Sequence, residues 1–266
     1  MKFSLDSVLQ ALRLVGLSAV VSAWPAGTAG SATPDDAMTI LRSMSDYVSG
    51  QQTLELTFDS DIEVITPELE KIQFTNSGEA MLRRPDRLRA HRVGGYADVA
   101  LYFDGRELSV HGRNVNGFAQ AAMPGTLDQL FAALREGHGV ALPGADFLTS
   151  NPYAALAEGV IEAKHIGRGV IDGVECEHLA FRNFDTDWQL WVEASATPMP
   201  RKLVITSKTL SGGPQYTFRV KTWRAGHPIP DEAFRFVPPA GAERLDPNRL
   251  LHLDELPPES PAGGEK

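Results

Sequence analysis

Between Leu54 and Val64 apolar side chains fall on every second position: Leu54, Leu56, Phe58, Ile62 and Val64, with Thr53, Glu55, Thr57 and Asp59 between the first of them. That alternation belongs to a strand with one face buried and the other in water. The segment before it has a different period. Ile40, Leu41, Met44 and Tyr47 or Val48 share one face of a helix, which Thr33-Pro34-Asp35-Asp36 starts with an N-cap, a helix-compatible proline and well-placed carboxylates, and which Gly50 ends.

Alternation resumes from Lys71 to Arg83 with Ile72, Phe74, Ala80 and Leu82, and Asn76-Ser77-Gly78 within it predicts a bulge or sharp bend. Arg87 to Val93 and Val99 to Phe103 add two strands, and Asp104-Gly105 is a hairpin turn leading into Leu108 to Val110, so the first half reads as an antiparallel meander. The middle is helical. Thr126 and Gln129 form a capping box ahead of Leu127, Leu130, Phe131 and Leu134. Asn151-Pro152 starts a second short helix carrying Tyr153 and Leu156, and the glycine-flanked loop from Gly137 to Gly144 between the two helices is expected to move. From Val160 strand patterns return: a hairpin at Asp172-Gly173, then Val174 to Phe184, Trp188 to Glu193, Lys202 to Lys208 and Tyr216 to Trp223. Strand runs with segregated helices predict an α+β domain built on one strongly curved antiparallel sheet.

The ends of the chain read differently. Residues 1–32 have the marks of a signal peptide: Lys2 and Arg13, an apolar run from Leu14 to Trp24 too short to span a bilayer, and small residues offering cleavage after Ala29 or Ala32. Residues 33–245 form the folded domain. The Pro-rich, polar residues 246–266 have the composition of a disordered tail. The expected location is therefore the periplasm, after export and cleavage, without stable membrane insertion.

With 25 basic against 34 acidic residues the net charge is −9, which argues against a nucleic-acid partner. The single cysteine, Cys176, excludes an intramolecular disulfide framework and every multi-cysteine metal site; its place in a strand predicts a buried structural thiol. The seven histidines show no ligand spacing, and no nucleophile elbow, phosphate loop or dinucleotide fingerprint is present. The expectation is no enzyme, no cofactor and no metal. One local reversal of charge stands out, Arg83-Arg84-x-x-Arg87-x-Arg89-x-x-Arg92, either a solvated strand face or a docking patch for acidic groups.

Taken in order, Met81-Leu-Arg-Arg-Pro-Asp-Arg-Leu-Arg89, Tyr102-Phe-Asp-Gly-Arg-Glu-Leu108, Leu190-Trp-Val-Glu193 with Pro198 and Pro200, and Phe234-Arg-Phe-Val-Pro-Pro-Ala-Gly241 resemble the LolA/LolB-like lipoprotein-carrier superfamily. The likeness spans residues 34–245 and is greatest to the branch of predicted periplasmic proteins of unknown function. It implies a half-open barrel of about eleven antiparallel strands around a hydrophobic cavity, plugged by helices. In the carriers that cavity holds acyl chains, and an arginine latches the helical lid. No arginine here is matched to that latch by spacing, and the carriers' extra C-terminal element is not recognisable.

Together these readings predict a periplasmic binding protein that shelters a lipid or the acyl chain of an acylated protein in a half-barrel. The alternative is an envelope sensor or regulatory module that uses the same fold to bind a protein partner. Strand parity assigns Leu54, Leu56, Phe58, Phe74, Leu101 and Phe103 to the ligand-binding face, joined by Leu130, Phe131 and Phe147 from the helical middle.

Overall fold

The computed structural model describes residues 34–137 and 144–246. The signal-peptide segment with the Thr33 cap, residues 138–143 of the loop expected to move, and the tail from residue 247 lie outside the described residues.

Helix α1 (Pro34–Ser49) buries Ala37, Leu41, Met44 and Val48 completely, the face its spacing requires. Strands β1 (Thr53–Ile65) and β2 (Lys71–Arg83) then pair antiparallel along their full length, Thr53 opposite Arg83 and Ile65 opposite Lys71. The bulge expected at Asn76-Ser77-Gly78 is absent from this pairing. Glycine stands at 78 for a different reason: the Phe58 ring occupies the space above it, and an added Cβ would come within 2.4 Å of that ring and 2.8 Å of the His91 carbonyl oxygen.

The meander continues through β3 (Arg87–Gly94), β4 (Asp98–Phe103), β5 (Glu107–Gly112) and β6 (Gly117–Ala122). At the β4–β5 turn the Asp104 carboxylate accepts hydrogen bonds from the N–H groups of Arg106 and Glu107, and Gly105 takes φ +83°. The pattern predicted no β6, because Gly-Phe-Ala-Gln-Ala-Ala carries almost no alternation.

Helix α2 (Leu127–Ala132) starts on the expected capping box between Thr126 and Gln129, and a tight turn at Ala145–Leu148 leads to α3 (Pro152–Ala157), capped by the Asn151 side chain. Then come β7 (Glu162–Ile171), β8 (Val174–Arg182), β9 (Thr186–Glu193), β10 (Pro200–Ser207) and β11 (Gln215–Ala225). Pairing of β1 with β11 joins the two halves into one twelve-stranded, unclosed, curved sheet which, with β12 (Glu243–Arg244), has the order β12-β6-β5-β4-β3-β2-β1-β11-β10-β9-β8-β7. The fold is the α+β half-barrel that the alternation and the resemblance imply. Its twelfth strand, β12 (Glu243–Arg244), is a two-residue piece lying parallel to β6.

The two faces of the sheet carry different covers. Helices α1, α2 and α3 close on the inner face, where Leu41, Leu54, Leu130, Phe103, Leu190 and Phe147 join in one hydrophobic core. On the outer face the chain after β11 returns as a strap across the meander. Phe236 sets its ring 5.4 Å from Tyr102, 5.7 Å from His111 and 5.4 Å from Phe118, Asp231 pairs with Arg83, and Leu245 donates its N–H to the Phe118 carbonyl.

Candidate functional site

Register across the sheet decides which side chains share the inner face, because each paired residue points to the same side as its partner. Leu54 stands opposite Leu82, which meets Leu88, then Phe103, then Leu108; the next rung inward runs Leu56, Ala80, Ala90, Leu101, Val110. Phe58 pairs with Gly78, Ser60 with Asn76, Ile62 with Phe74 and Val64 with Ile72. The six strand residues expected at the ligand-binding face therefore stand on one side of the sheet, and it is the side the helices cover.

Burial divides that face into two ends. Leu54 and Phe103 are 1% exposed, and Leu130, Phe131 and Phe147 pack into the same core, so these five fill space. Phe58 and Leu101 are half-buried at the margin of the core. Ile62, Val64 and Phe74 lie beyond it, half-buried, and Ile72 is 42% exposed. The face thus runs from a filled end beneath the helices to an open apolar end along the far halves of β1 and β2. Tyr96, in the β3–β4 turn, meets the Phe74 ring edge-on at 5.7 Å and forms part of the rim.

A band of polar groups crosses the border between these ends. Ser60 is fully buried, and Asn76 is 3% exposed with no acceptor for its Nδ2. Beside them stand Arg92, opposite Gly78, and Tyr216, opposite Ile62. Burial raises the Tyr216 hydroxyl above the ordinary phenol range, while the neighbouring Ser60 side chain and the Arg92 charge act the other way. None of these four was singled out as a lining residue from the sequence. Alternation alone placed Ser60 and Asn76 on the apolar face, and that was the signal: a polar residue at an apolar position.

The arginine cluster does not form one patch. Arg83 points outward to Asp231 and the Ile229 carbonyl, Arg89 lies over the Tyr102 ring, and Arg87 pairs with Asp86. Arg84 turns toward the helical plug. Its Nη1 donates to the carbonyls of Leu148 and Thr149, each at 2.9 Å, and its Nε donates to the Gln51 carbonyl at 3.1 Å. Burial lowers its pKa, with Asp128 opposing the shift. Chemically this is a latch on the segment between α2 and α3, and its neighbours in a five-arginine run hid it from the sequence.

Cys176 is fully buried, but against the outer face beside β7 rather than in the helix-covered core; burial pushes the thiol up and the Arg201 charge works against that. A shallow depression of about 300 Å³ lies between α1 and the β9–β10 turn, with Ile40, Ser43, Arg168 and Glu177 among its walls. Glu177 there bonds His165 at 2.8 Å and Arg168 at 3.1 Å, a neutralised set. Among the described residues no group of His, Cys, Asp and Glu is arranged to hold a metal ion, and no helix is long and apolar enough to cross a membrane.

A family model described as predicted periplasmic protein (DUF2092) matches residues 37–246. No curated protein sequence matches the chain. Among solved structures, an uncharacterised conserved protein of Thermus thermophilus is similar at 11% identity and a TM-score of 0.47, covering 79% of this chain and 98% of its own. The Mycobacterium tuberculosis lipoprotein LppX is similar at 13% identity and a TM-score of 0.46, covering 74% and 99%. A LolA superfamily protein of Nitrosomonas europaea is similar at 13% identity and a TM-score of 0.34, covering 75% and 97%.

Proposed function

The chain belongs to the family of predicted periplasmic proteins whose model it matches, and from that placement we propose that it is a periplasmic binding protein which holds the apolar chain of a lipid or of an acylated protein on the open end of the inner face. One observation carries the reading. Ile62, Val64, Ile72 and Phe74 continue the apolar face of β1 and β2 past the point where the core ends, so beyond the buried Ser60–Asn76 pair a hydrophobic floor extends into the open. Each methylene laid on such a floor gains up to about 0.8 kcal/mol. The helices are already seated on the filled end, so the ligand lies beside the plug, and binding does not require a cavity beneath it. The proposed role is binding, not catalysis.

A protein partner is the second reading, favoured by the exposure of Ile161, Ile166, Val170 and Phe184 (67%, 54%, 66% and 89%) along β7 and the β8–β9 turn. As the free edge of the sheet, β7 would offer a partner strand its unpaired backbone. It is guarded by Lys164, Arg168 and the register shift between His165 and Gly167, devices that discourage edge pairing.

The test is titration with an uncharged long-chain probe, dodecanol, read by calorimetry. Phe74→Asp should weaken its binding at least about tenfold, the order expected when a charge enters an apolar contact, at nearly unchanged thermal stability. A wild-type protein that takes up no alkyl probe would sink the reading and favour the protein partner.

A further inference from the structure

Exposed apolar side chains are unevenly divided between the two rims of the sheet. Register places the β1–β2, β8–β9 and β10–β11 turns at one rim, the end where Ile65 meets Lys71. Each of these three turns holds one large apolar residue in water: Leu69 (74% exposed), Phe184 (89%) and Leu210 (60%). Ile161, at the start of β7, stands at the same rim, while Ile166 and Val170 lie back along that strand. At the opposite rim, the turns at residues 84–86, 104–106, 172–173 and 194–199 carry none of the exposed large apolar side chains found among the described residues.

The turns are tied into one row. Lys208 donates its N–H to the Asp185 carbonyl at 2.9 Å, and Gly212 lies against Ile65, where an added Cβ would come within 3.0 Å of the Ile65 Cδ1. Neighbouring tips in the row are two strands apart, about 10 Å at the usual strand spacing. Asn183 holds the β8–β9 turn, donating its N–H to the Thr186 carbonyl and accepting from the Trp188 indole, and leaves Phe184 in water. Leu69 adopts φ +66°, a left-handed conformation that suits glycine or asparagine and disfavours leucine. A leucine held in that conformation and in water gains little from the fold, which points to a gain made outside it. Residues 66–70, 183–185 and 209–213 include Glu68, Glu70 and Asp185 and no basic residue, and the adjoining lysines are engaged, Lys71 by Glu63 and Lys208 by Asp187.

We propose that this rim docks reversibly on the surface of a zwitterionic lipid bilayer, with Leu69, Phe184 and Leu210 entering the boundary between head groups and acyl chains. A fluid bilayer takes separated apolar tips without the shape complementarity that a protein surface would need. Acidic turns without a basic residue select a neutral surface over an anionic one. The rim is also where the open floor ends: Ile62, Val64 and Ile72 approach it along β1 and β2, which gives an alkyl chain a short apolar path between bilayer and floor. Docking goes beyond the binding reading and stands whether or not the floor takes a lipid.

The test is flotation of residues 33–266 with phosphatidylcholine vesicles. Wild type should float with them at low and at high salt, and less with vesicles that contain phosphatidylglycerol. Phe184→Ser should weaken flotation at least about threefold, and combining it with Leu69→Asn and Leu210→Ser should abolish it. Val237→Ser, at a site 72% exposed on the outer strap, should change nothing. Thermal stability should be kept in every variant, because the substituted side chains are exposed and asparagine tolerates the conformation of residue 69. The triple variant should still bind dodecanol, and a wild type that floats but binds no dodecanol would keep the docking rim and lose the lipid-binding floor. The proposal is overturned if wild type does not float with neutral vesicles, if flotation needs anionic lipid and disappears in salt, or if Val237→Ser costs as much as Phe184→Ser. Dimerisation through these tips without flotation would also overturn it and name a second copy of the chain as the occupant. The lipid and salt comparisons are made on wild type and do not depend on any variant.

Discussion

The two ends of strand β1 share a sequence pattern and differ in fate. Leu54 and Leu56 at the start alternate with polar residues in the same way as Ile62 and Val64 at the end, and both pairs face inward. The first pair is buried in the core that the helices join, while the second is half-exposed beyond that core. The difference does not come from the strand. It comes from where the helical middle lands: α2 and the Ala145–Leu148 turn reach the near end, where Arg84 ties the second of them to the β2–β3 corner and to the end of α1. A periodic pattern therefore announces which side of a strand is apolar, and the reach of the covering elements decides whether that side becomes core or binding surface.

The same charge placed at both ends should have very different consequences. Phe131→Asp places a carboxylate without a partner in the filled core and should cost about 3–5 kcal/mol in urea unfolding, whereas Phe74→Asp at the open end should cost less than about 1 kcal/mol. Equal, small losses would mean that α2 detaches readily and that the filled end is a closed lid. An intermediate effect is expected at the border of the helical plug. Arg84→Met removes the donor from three carbonyls and should cost about 1–3 kcal/mol, with faster amide exchange concentrated around residues 145–149. Uniform loss of protection across the sheet would show instead that Arg84 supports the whole fold.

The smallest effect concerns the outer cover, which contrasts with both ends of the inner face. His111 is buried under Phe236 with its Nε2 unpaired; burial, then the Arg113 charge, lowers its pKa, and Asp98 partly opposes them. A lowered imidazole pKa means the unfolded chain takes up a proton that the folded chain resists. Stability should therefore be complete above the ordinary histidine value of about 6.5 and decline as pH falls through it toward the folded value. His111→Phe should flatten the dependence of Tm on pH in that window, and dodecanol binding should not follow it. A slope unchanged by the substitution would assign the acid sensitivity to another group.

Much of this architecture was legible in the chain. Alternation gave the inner side of β1 and β2, Asp104-Gly105 and Asp172-Gly173 gave two hairpins, and Thr126 with Gln129 gave the start of α2, because strand parity, positive φ and end-capping are settled within a few residues. Where a local signal misled, a distant contact was responsible. Gly78 looked like a bulge and is instead the space into which the Phe58 ring fits. The run of arginines looked like one surface, yet parity and separate partners send Arg83 outward, Arg84 to the plug and Arg92 into the hollow.

By itself, then, the sequence determined the alternating faces, the order of strands and helices and the net negative charge, all of which follow from neighbours along the chain. Contacts in three dimensions decided that half of the apolar face is filled and half open, that a strap from residues 229–245 covers the outer side of the meander, and that Arg84 turns to the helical plug while Arg83 turns outward. Those features depend on contacts between residues far apart in sequence, such as Phe58 with Phe218 or Arg84 with Leu148. No local period encodes them, because burial is fixed by what packs above a side chain and not by the strand that carries it.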